Sequence, residues 1–340
     1  MGSEMCIRDR FIIFATMNDY AVTIVTRGEE LPPLPEGNFF HSSELFRLVE
    51  RSPGNTPYMA IASDRGGRVV GQLLVVTRRR GAWIPPYLYT HAHAYGEGEY
   101  APEVNAEQVF GLLLDKVTLV LRRRLCLYIE FSDLSHKMFG YRYFRREGYY
   151  PMLWQEIHNS LHSMPPCQRL SRPMLKRLER LERRGITTHE VESPEDLHDF
   201  YHVMRRYYRL KIRRYLPPRE QFEAMRVTRS VRLFVTRYKG KAVGGCACVY
   251  SQGNAYLWFL AAKRRYPHLH LARFTVWKAL NYAHEHHYEH MFFMDVGLPW
   301  RRNPFRDFIL SFGGKPVSTY RWFRFSISWV NSLLRWLHRE

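Results

Sequence analysis

The sequence predicts an α/β (α+β) protein built of two similar domains, each a mixed, mostly antiparallel sheet flanked by helices. Three observations carry that expectation. Apolar periodicity switches between helical and strand spacing in the order helix, hairpin, strand, helix, strand, and this order occurs twice. The hairpin turn Gly67-Arg68-Val69-Val70-Gly71 matches Gly240-Lys241-Ala242-Val243-Gly244 at an offset of 173 residues. Gly148-Tyr149-Tyr150-Pro151 then matches Gly313-Gly314-Lys315-Pro316 later in each half.

The elements follow in order. Residues 1–16 are read as a non-native leader: MGSEMCIRDR resembles a translated sequencing-adapter fragment, and Met17 is the expected start. An N-terminal domain over 17–165 opens with LPPLPEG and a serine-capped helix, HSSELFRLVERS, whose Leu45, Phe46, Leu48 and Val49 form one apolar face. YMAIASDRGGRVVGQLLVVT alternates around Gly66-Gly67 as an antiparallel hairpin does. The helix NAEQVFGLLLDKVTLVLRRR, the strand LCLYIEF and the β-rich run MLWQEIHNSL close this half. A basic linking helix at 166–186 carries the stripe Leu175, Leu178, Leu181 and ends at Gly185. The C-terminal domain, 187–325, repeats the pattern with SPEDLHDFYHVMRRYYRL, the hairpin RLFVTRYKGKAVGGCACVYS, the strand NAYLWFLAA, the helix ARFTVWKALNYAHEHH, the strand MFFMDVG, the helix PFRDFILSF and the strand KPVSTYRWF. An amphipathic helix at 326–340 spaces Trp329 and Trp336 among Arg and Leu; it suits a membrane interface or docking on the second domain.

Composition narrows the function classes. The 340 residues are 46% hydrophobic and 15% aromatic, enough for real cores. Charged residues interrupt every apolar run, so no transmembrane segment is expected. Five cysteines without zinc-like spacing argue against a disulfide framework and fit a reduced cytoplasm. Cys246 and Cys248 share a strand face and read as packing groups. A formal charge of +19 favours anionic partners: RNA, nucleotide phosphates or the anionic inner face of a membrane.

Three features together bring a family into view: LERRGI before TTHEVESPEDLHDFYHVM, GKAVGGCACV followed by AYLWFLAA, and FMDVG leading to FILSFGG. In this order they resemble tandem GNAT-like domains, and within them the FemAB-like acyltransferases, over most of residues 39–325. The resemblance implies transfer of an acyl group from acyl-CoA, or of an aminoacyl group from aminoacyl-tRNA, onto an amine. In the FemAB branch the acceptor is a bacterial peptidoglycan precursor. Such transfer needs a channel that orients an activated ester beside an amine, dipoles for the oxyanion and a proton acceptor; it needs no metal. Two departures stand out. The place of the glycine-bearing pyrophosphate loop reads KRRYPHLHLARF without glycine, and Ile309 stands where FemAB-type proteins commonly carry Lys.

Asp295, ending a central strand, is the first candidate for proton acceptor or amine ligand; a helix cap or partner for nearby arginines is the structural alternative. Tyr256, on the strand 254–262, is the second catalytic candidate. Candidate phosphate or substrate groups are Arg264, Arg265 and Arg273 in place of the missing glycines, Lys211 beside Tyr208, Arg213 and Arg214, the loop and helix start Arg301, Arg302 and Arg306, and Arg183 and Arg184 of the linking helix. Each also reads as a solvated charge. His286, Glu289 and His290 have an inverted zinc-peptidase spacing, but they close a helix before a strand and no metal site is expected. The expectation is therefore a cytoplasmic acyltransferase or aminoacyltransferase acting on an amine, with the second domain active. The alternative is a non-catalytic basic module that binds RNA or an anionic membrane surface.

Overall fold

A computed structural model of the chain describes residues 20–35, 37–83, 86–134, 139–209, 215–263, 269–294 and 296–338; the proposed leader lies outside them. The chain forms two compact units, which divide it as Met1–Glu50, Gly54–Met152 and Arg321–Glu340 on one side and Arg51–Pro53 and Leu153–Tyr320 on the other.

Chain order in the first half is β1 (Ala21–Val25), α1 (Ser43–Glu50), β2 (Asn55–Ser63), β3 (Val69–Trp83), β4 (Pro86–Tyr95), β5 (Glu99–Tyr100), α2 (Ala106–Arg123), β6 (Tyr128–Ser132), α3 (Tyr141–Arg146) and β7 (Tyr150–Ser160). The second half runs α4 (Pro166–Arg169), α5 (Arg172–Arg183), β8 (Ile186–Glu190), α6 (Pro194–Tyr208), α7 (Arg219–Arg226), β9 (Val231–Tyr238), β10 (Lys241–Ser251), β11 (Asn254–Ala262), α8 (Leu271–Glu285), β12 (His290–Phe293), α9 (Pro304–Leu310), β13 (Lys315–Phe325) and α10 (Ser328–Leu337). No described helix is long and apolar enough to cross a membrane.

Local chemistry places the ends of the helices. Asn105 caps α2 by accepting from Gln108 N, and Arg122 and Arg123 sit in its last turn, where the helix dipole favours cations. Val109, Phe110, Leu113, Leu114, Val117 and Leu121 recur at three and four and are fully buried over the first sheet. Ser193 caps α6 in the same way, with Glu195 and Asp196 in the first turn. The crossover helix α8 buries residues on most of its circumference, including Phe274, Val276, Trp277 and Leu280, because it closes the core of the second unit.

The strand order β1-β2-β3-β4-β6 of the first unit is antiparallel except for the parallel pair β4–β6, which α2 bridges. In the second unit the order β12-β11-β10-β9-β8 is antiparallel except for the parallel pair β11–β12, which α8 bridges. The repeated sequence signals prove to be repeated backbone. Gly67 and Gly240 take φ of 80° and 72°, and Gly148 and Gly313 take 81° and 80°, values that favour glycine.

The last strand of each half departs from the sequence expectation. MLWQEIHNSL was expected to close the first half, yet Ile157–Ser160 pair antiparallel with β12. KPVSTYRWF was expected to end the second domain, yet Arg321–Phe325 pair antiparallel with β6. Trp322 consequently lies in the core of the first unit, 1% exposed and stacked on Phe144 at 4.8 Å between centroids and 7° between planes. Since β13 ends there, α10 also belongs to the first unit rather than docking on the second. Asn331 accepts from Phe325 N at 2.9 Å and donates to Gly148 O at 3.0 Å, and His338 faces the Tyr150 ring.

Candidate functional site

Parallel strand pairs are where the two units differ most. In the second, β11 and β12 pair at Asn254↔His290, Ala255↔Met291 and Tyr256↔Phe292, and there the pairing ends while β11 continues to Ala262. On its other edge β11 carries a bulge: Ala247 opposes Phe259 and Cys248 opposes Leu257, which leaves Trp258 as the inserted residue. The seam therefore opens past Tyr256. In the first unit, β4 and β6 stay in register from His91↔Tyr128 to Tyr95↔Ser132, the end of both strands.

Side chains along the open seam alternate. Ala255, Leu257, Met291, Phe293 and Ile157 enter the core of the second unit. Asn254, Tyr256, His290 and Phe292 take the other face, together with Trp154, Glu156 and His158 of β7. Phe292 stands between His158 and Tyr256, with ring centroids 4.4 Å and 5.1 Å away. Glu156 is buried, and its Oε2 lies 3.2 Å from His158 Nε2. Burial pushes His158 down to about 4, so the ring is neutral near pH 7. Glu156 Oε2 facing Nε2 favours the tautomer with its proton there.

The amino end of α8 follows the open end of β11. His270, the N-cap residue, has φ of 43°, and the positive end of the α8 dipole lies at this start. Arg273 sits in this first turn; its Nη1 lies 3.4 Å from His270 Nδ1, and its Nε is buried without a hydrogen-bond partner among the described residues. Its pKa is held down by burial first and then by the charge of Arg177 on α5. A second tie between these helices is Lys278 Nζ to Glu182 Oε1 at 2.7 Å. The linking helix buries Met174, Leu178 and Leu181 and turns Arg172, Lys176, Arg177 and Arg180 outward. Arg273 in the first turn of α8, with the charge of Arg177 acting on it, is a candidate anion-binding group that would need no glycine loop.

Of the residues singled out in the sequence, Tyr256 and Arg273 lie at this seam and helix start. Tyr208 reaches β11 as well, its Oη donating to Leu260 O at 3.5 Å. Arg306 is occupied structurally: its Nη1 donates to Gln155 Oε1, Leu298 O and Pro299 O. Arg301 and Arg302 are exposed on the preceding loop, and Arg183 and Arg184 are exposed at the far end of α5. Asp295, Lys211, Arg213, Arg214, Arg264 and Arg265 lie outside the described residues. The zinc-peptidase spacing does not fall on one helix, because α8 ends at Glu285 and His290 begins β12; His286 instead stacks on Tyr282. Cys246 and Cys248 are both buried, and Cys248 and burial together hold the Cys246 thiol protonated.

Sequence reading missed Glu156 and His158. Period two in MLWQEIHNSL does put Trp154, Glu156 and His158 on one face, but it carries no information that β12 is the neighbour. The corresponding face of the first unit holds a different set: His93 Nε2 lies 2.8 Å from Ser132 Oγ, and Arg321 pairs with Glu130 at 2.8 Å. FILSFGG is a packing device. Gly313 has positive φ and a Cβ there would lie 2.9 Å from Arg169 O, while a Cβ on Gly314 would lie 2.5 Å from Ile157 Cγ2.

Residues 169–302 match the family described as acetyltransferase (GNAT) domain. Among solved structures, FemX is similar over 88% of this chain and 95% of that one, at 10% identity and a TM-score of 0.61. A tandem GNAT protein from the clavulanic acid biosynthesis pathway is similar over 88% and 91%, at 16% identity and a TM-score of 0.57. The C-terminal domain of a putative lysylphosphatidylglycerol synthetase from Agrobacterium fabrum is similar over 87% and 91%, at 13% identity and a TM-score of 0.58. No curated protein matches in sequence. Residues 169–302 thus resemble a GNAT acetyltransferase domain, and the chain shares its fold with FemX and a tandem GNAT protein.

Proposed function

We propose that this GNAT-fold acyltransferase moves an acyl or aminoacyl group from a phosphate-bearing donor to an amine, and that its second unit holds the reaction. The observation that carries this reading is the end of the β11–β12 pairing at Tyr256 while β11 runs on to Ala262, with Arg273 in the first turn of the helix that follows. An extended donor arm fits there, since its amides can bond the edge of β11 while its phosphates meet the start of α8.

The chemistry then follows from neighbouring groups. The amine nitrogen attacks the donor carbonyl, the new C–N bond forms, and the C–O or C–S bond to the donor breaks. His158, neutral and oriented through Nε2 by Glu156, accepts the ammonium proton; Tyr256 Oη donates one to the leaving oxygen or sulfur and is reprotonated by exchange. Phe292, Tyr256 and Trp154 wall the face and limit water. For the donor, the outward cations of α5 continue from Arg177 as a track for a long polyanion, which supports aminoacyl-tRNA; acyl-CoA, the usual donor of GNAT domains, needs only the candidate anion-binding group at Arg273. The acceptor we assign is the amine of a cell-envelope precursor, as in the FemAB branch.

Thermal stabilisation by each donor tests this. A donor at a hundred times its Kd stabilises by about 2.7 kcal/mol. Acyl-CoA or charged tRNA should raise the melting temperature of the wild type, and Arg273→Ala should remove the shift. No shift with either at saturation contradicts the transferase reading and leaves the non-catalytic basic module in its place.

A further inference from the structure

The helix α10 sits the wrong way round for a packing element. Trp329 and Trp336 are 72% and 62% exposed, Leu333 and Leu337 are exposed beside them, and only Asn331 of the helix is buried. Positions 329, 333, 336 and 337 form one stripe at helical spacing. The stripe continues off the helix. Exposed Ile327 precedes it, and Ser326 N donates to Leu127 O at 2.9 Å, which holds the α2–β6 turn alongside. At that turn Leu125 is 84% exposed and takes φ of 54°, a conformation β-region and helical leucines avoid.

Cations border this apolar rim. Arg122, Arg123 and Arg124 end α2, and between Phe308 and Arg339 the sequence contains no Asp or Glu. Arg324 and Arg335 flank Gly148, where a Cβ would lie 3.7 Å from Arg324 Nε and 3.8 Å from Arg335 Nη1. Arg324 donates from Nε to Glu147 O, but its Nη1 is buried with no hydrogen-bond partner among the described residues. Burial, with the charges of Arg122 and Arg335, lowers its pKa against the pull of Tyr149 and Glu147. A guanidinium held this way favours an anion beside it.

We propose that this rim of the first unit docks on an anionic lipid bilayer, with the Trp329, Leu333, Trp336 and Leu337 stripe in the interface and a headgroup phosphate at Arg324 and Arg335. Two tryptophans, aliphatic residues between them and flanking arginines are the chemistry of an interfacial helix. The stretch from Phe308 to Arg339 without Asp or Glu and the formal charge of +19 complement anionic headgroups. Docking does not depend on the transfer reaction and would hold for a protein without it.

Co-sedimentation with vesicles tests the proposal on the full chain. Binding is expected to vesicles of equal phosphatidylglycerol and phosphatidylcholine, with a blue shift of tryptophan emission, and not to phosphatidylcholine alone. The double variant Trp329→Ala, Trp336→Ala should lose about tenfold or more in partitioning with unchanged melting because both side chains are exposed, and Arg335→Glu should weaken partitioning too. Equal binding to both vesicle types, no binding, or undiminished binding by the double variant overturns the proposal. So does RNA binding, or dimerisation in sedimentation velocity without lipid, that the same double variant abolishes, since the face would then belong to that partner.

Discussion

His158→Asn isolates the proton linkage on which the proposed site depends. In the folded chain burial holds His158 at about 4, against its ordinary 6.5, while in the unfolded chain the ring titrates normally. Between those values the unfolded state binds the extra proton, so folding is opposed as pH falls through the window and the contribution is intact above 6.5. The gap of 2.5 units corresponds to about 3 kcal/mol. Asparagine keeps a donor for Glu156 and does not titrate. In urea unfolding across this window, the stability difference between wild type and His158→Asn should shift against the wild type by about 2 to 3 kcal/mol from the neutral to the acid end. A flat difference would mean that the ring is not held neutral by burial. A difference of opposite sign would mean that Glu156 stabilises an imidazolium, and His158 could then not accept a proton from the amine.

Other consequences can be measured without knowing the substrate. Trp322→Ala removes a buried ring stacked on Phe144 and should cost about 3 to 5 kcal/mol; in limited proteolysis the first unit should become labile before the second, although the residue lies near the C-terminus. Gly313→Ala meets both a positive φ and Arg169 O, and a loss of about 1 to 3 kcal/mol in denaturant unfolding is expected. Arg273→Met should weaken the stabilising donor about 10- to 100-fold in titration calorimetry, whereas Arg301→Ala with Arg302→Ala on the exposed loop should leave its affinity within about twofold.

What was legible in the sequence was what local chemistry decides. Gly67, Gly148, Gly240 and Gly313 each take a backbone angle that favours glycine, so the duplication left its mark as matched glycines. Helices α2 and α6 are written in their caps and apolar spacing, and α8 in its apolar residues alone. The partners of strands are not: period two identifies β7 and β13 as strands, and nothing in their residues states that they pair with β12 and β6. For the same reason Tyr256 could be found on its own strand, while Glu156 and His158 could not be joined to it. The approach of Arg177 to Arg273 likewise depends on α5 packing beside α8, a contact between distant segments. The stripe of α10 was readable, but the unit that carries it follows from the exchange of β13.

The account rests most heavily on the second unit as the place of reaction. The direct measurement is single-turnover transfer from the donor that stabilises the protein, comparing wild type with His158→Ala, Tyr256→Phe and His93→Ala, each shown to be folded. The account predicts a fall of about 100-fold or more for His158→Ala, a smaller fall for Tyr256→Phe, and near-wild-type transfer for His93→Ala in the first unit. Loss of transfer in His93→Ala with undiminished rates in the other two would contradict it.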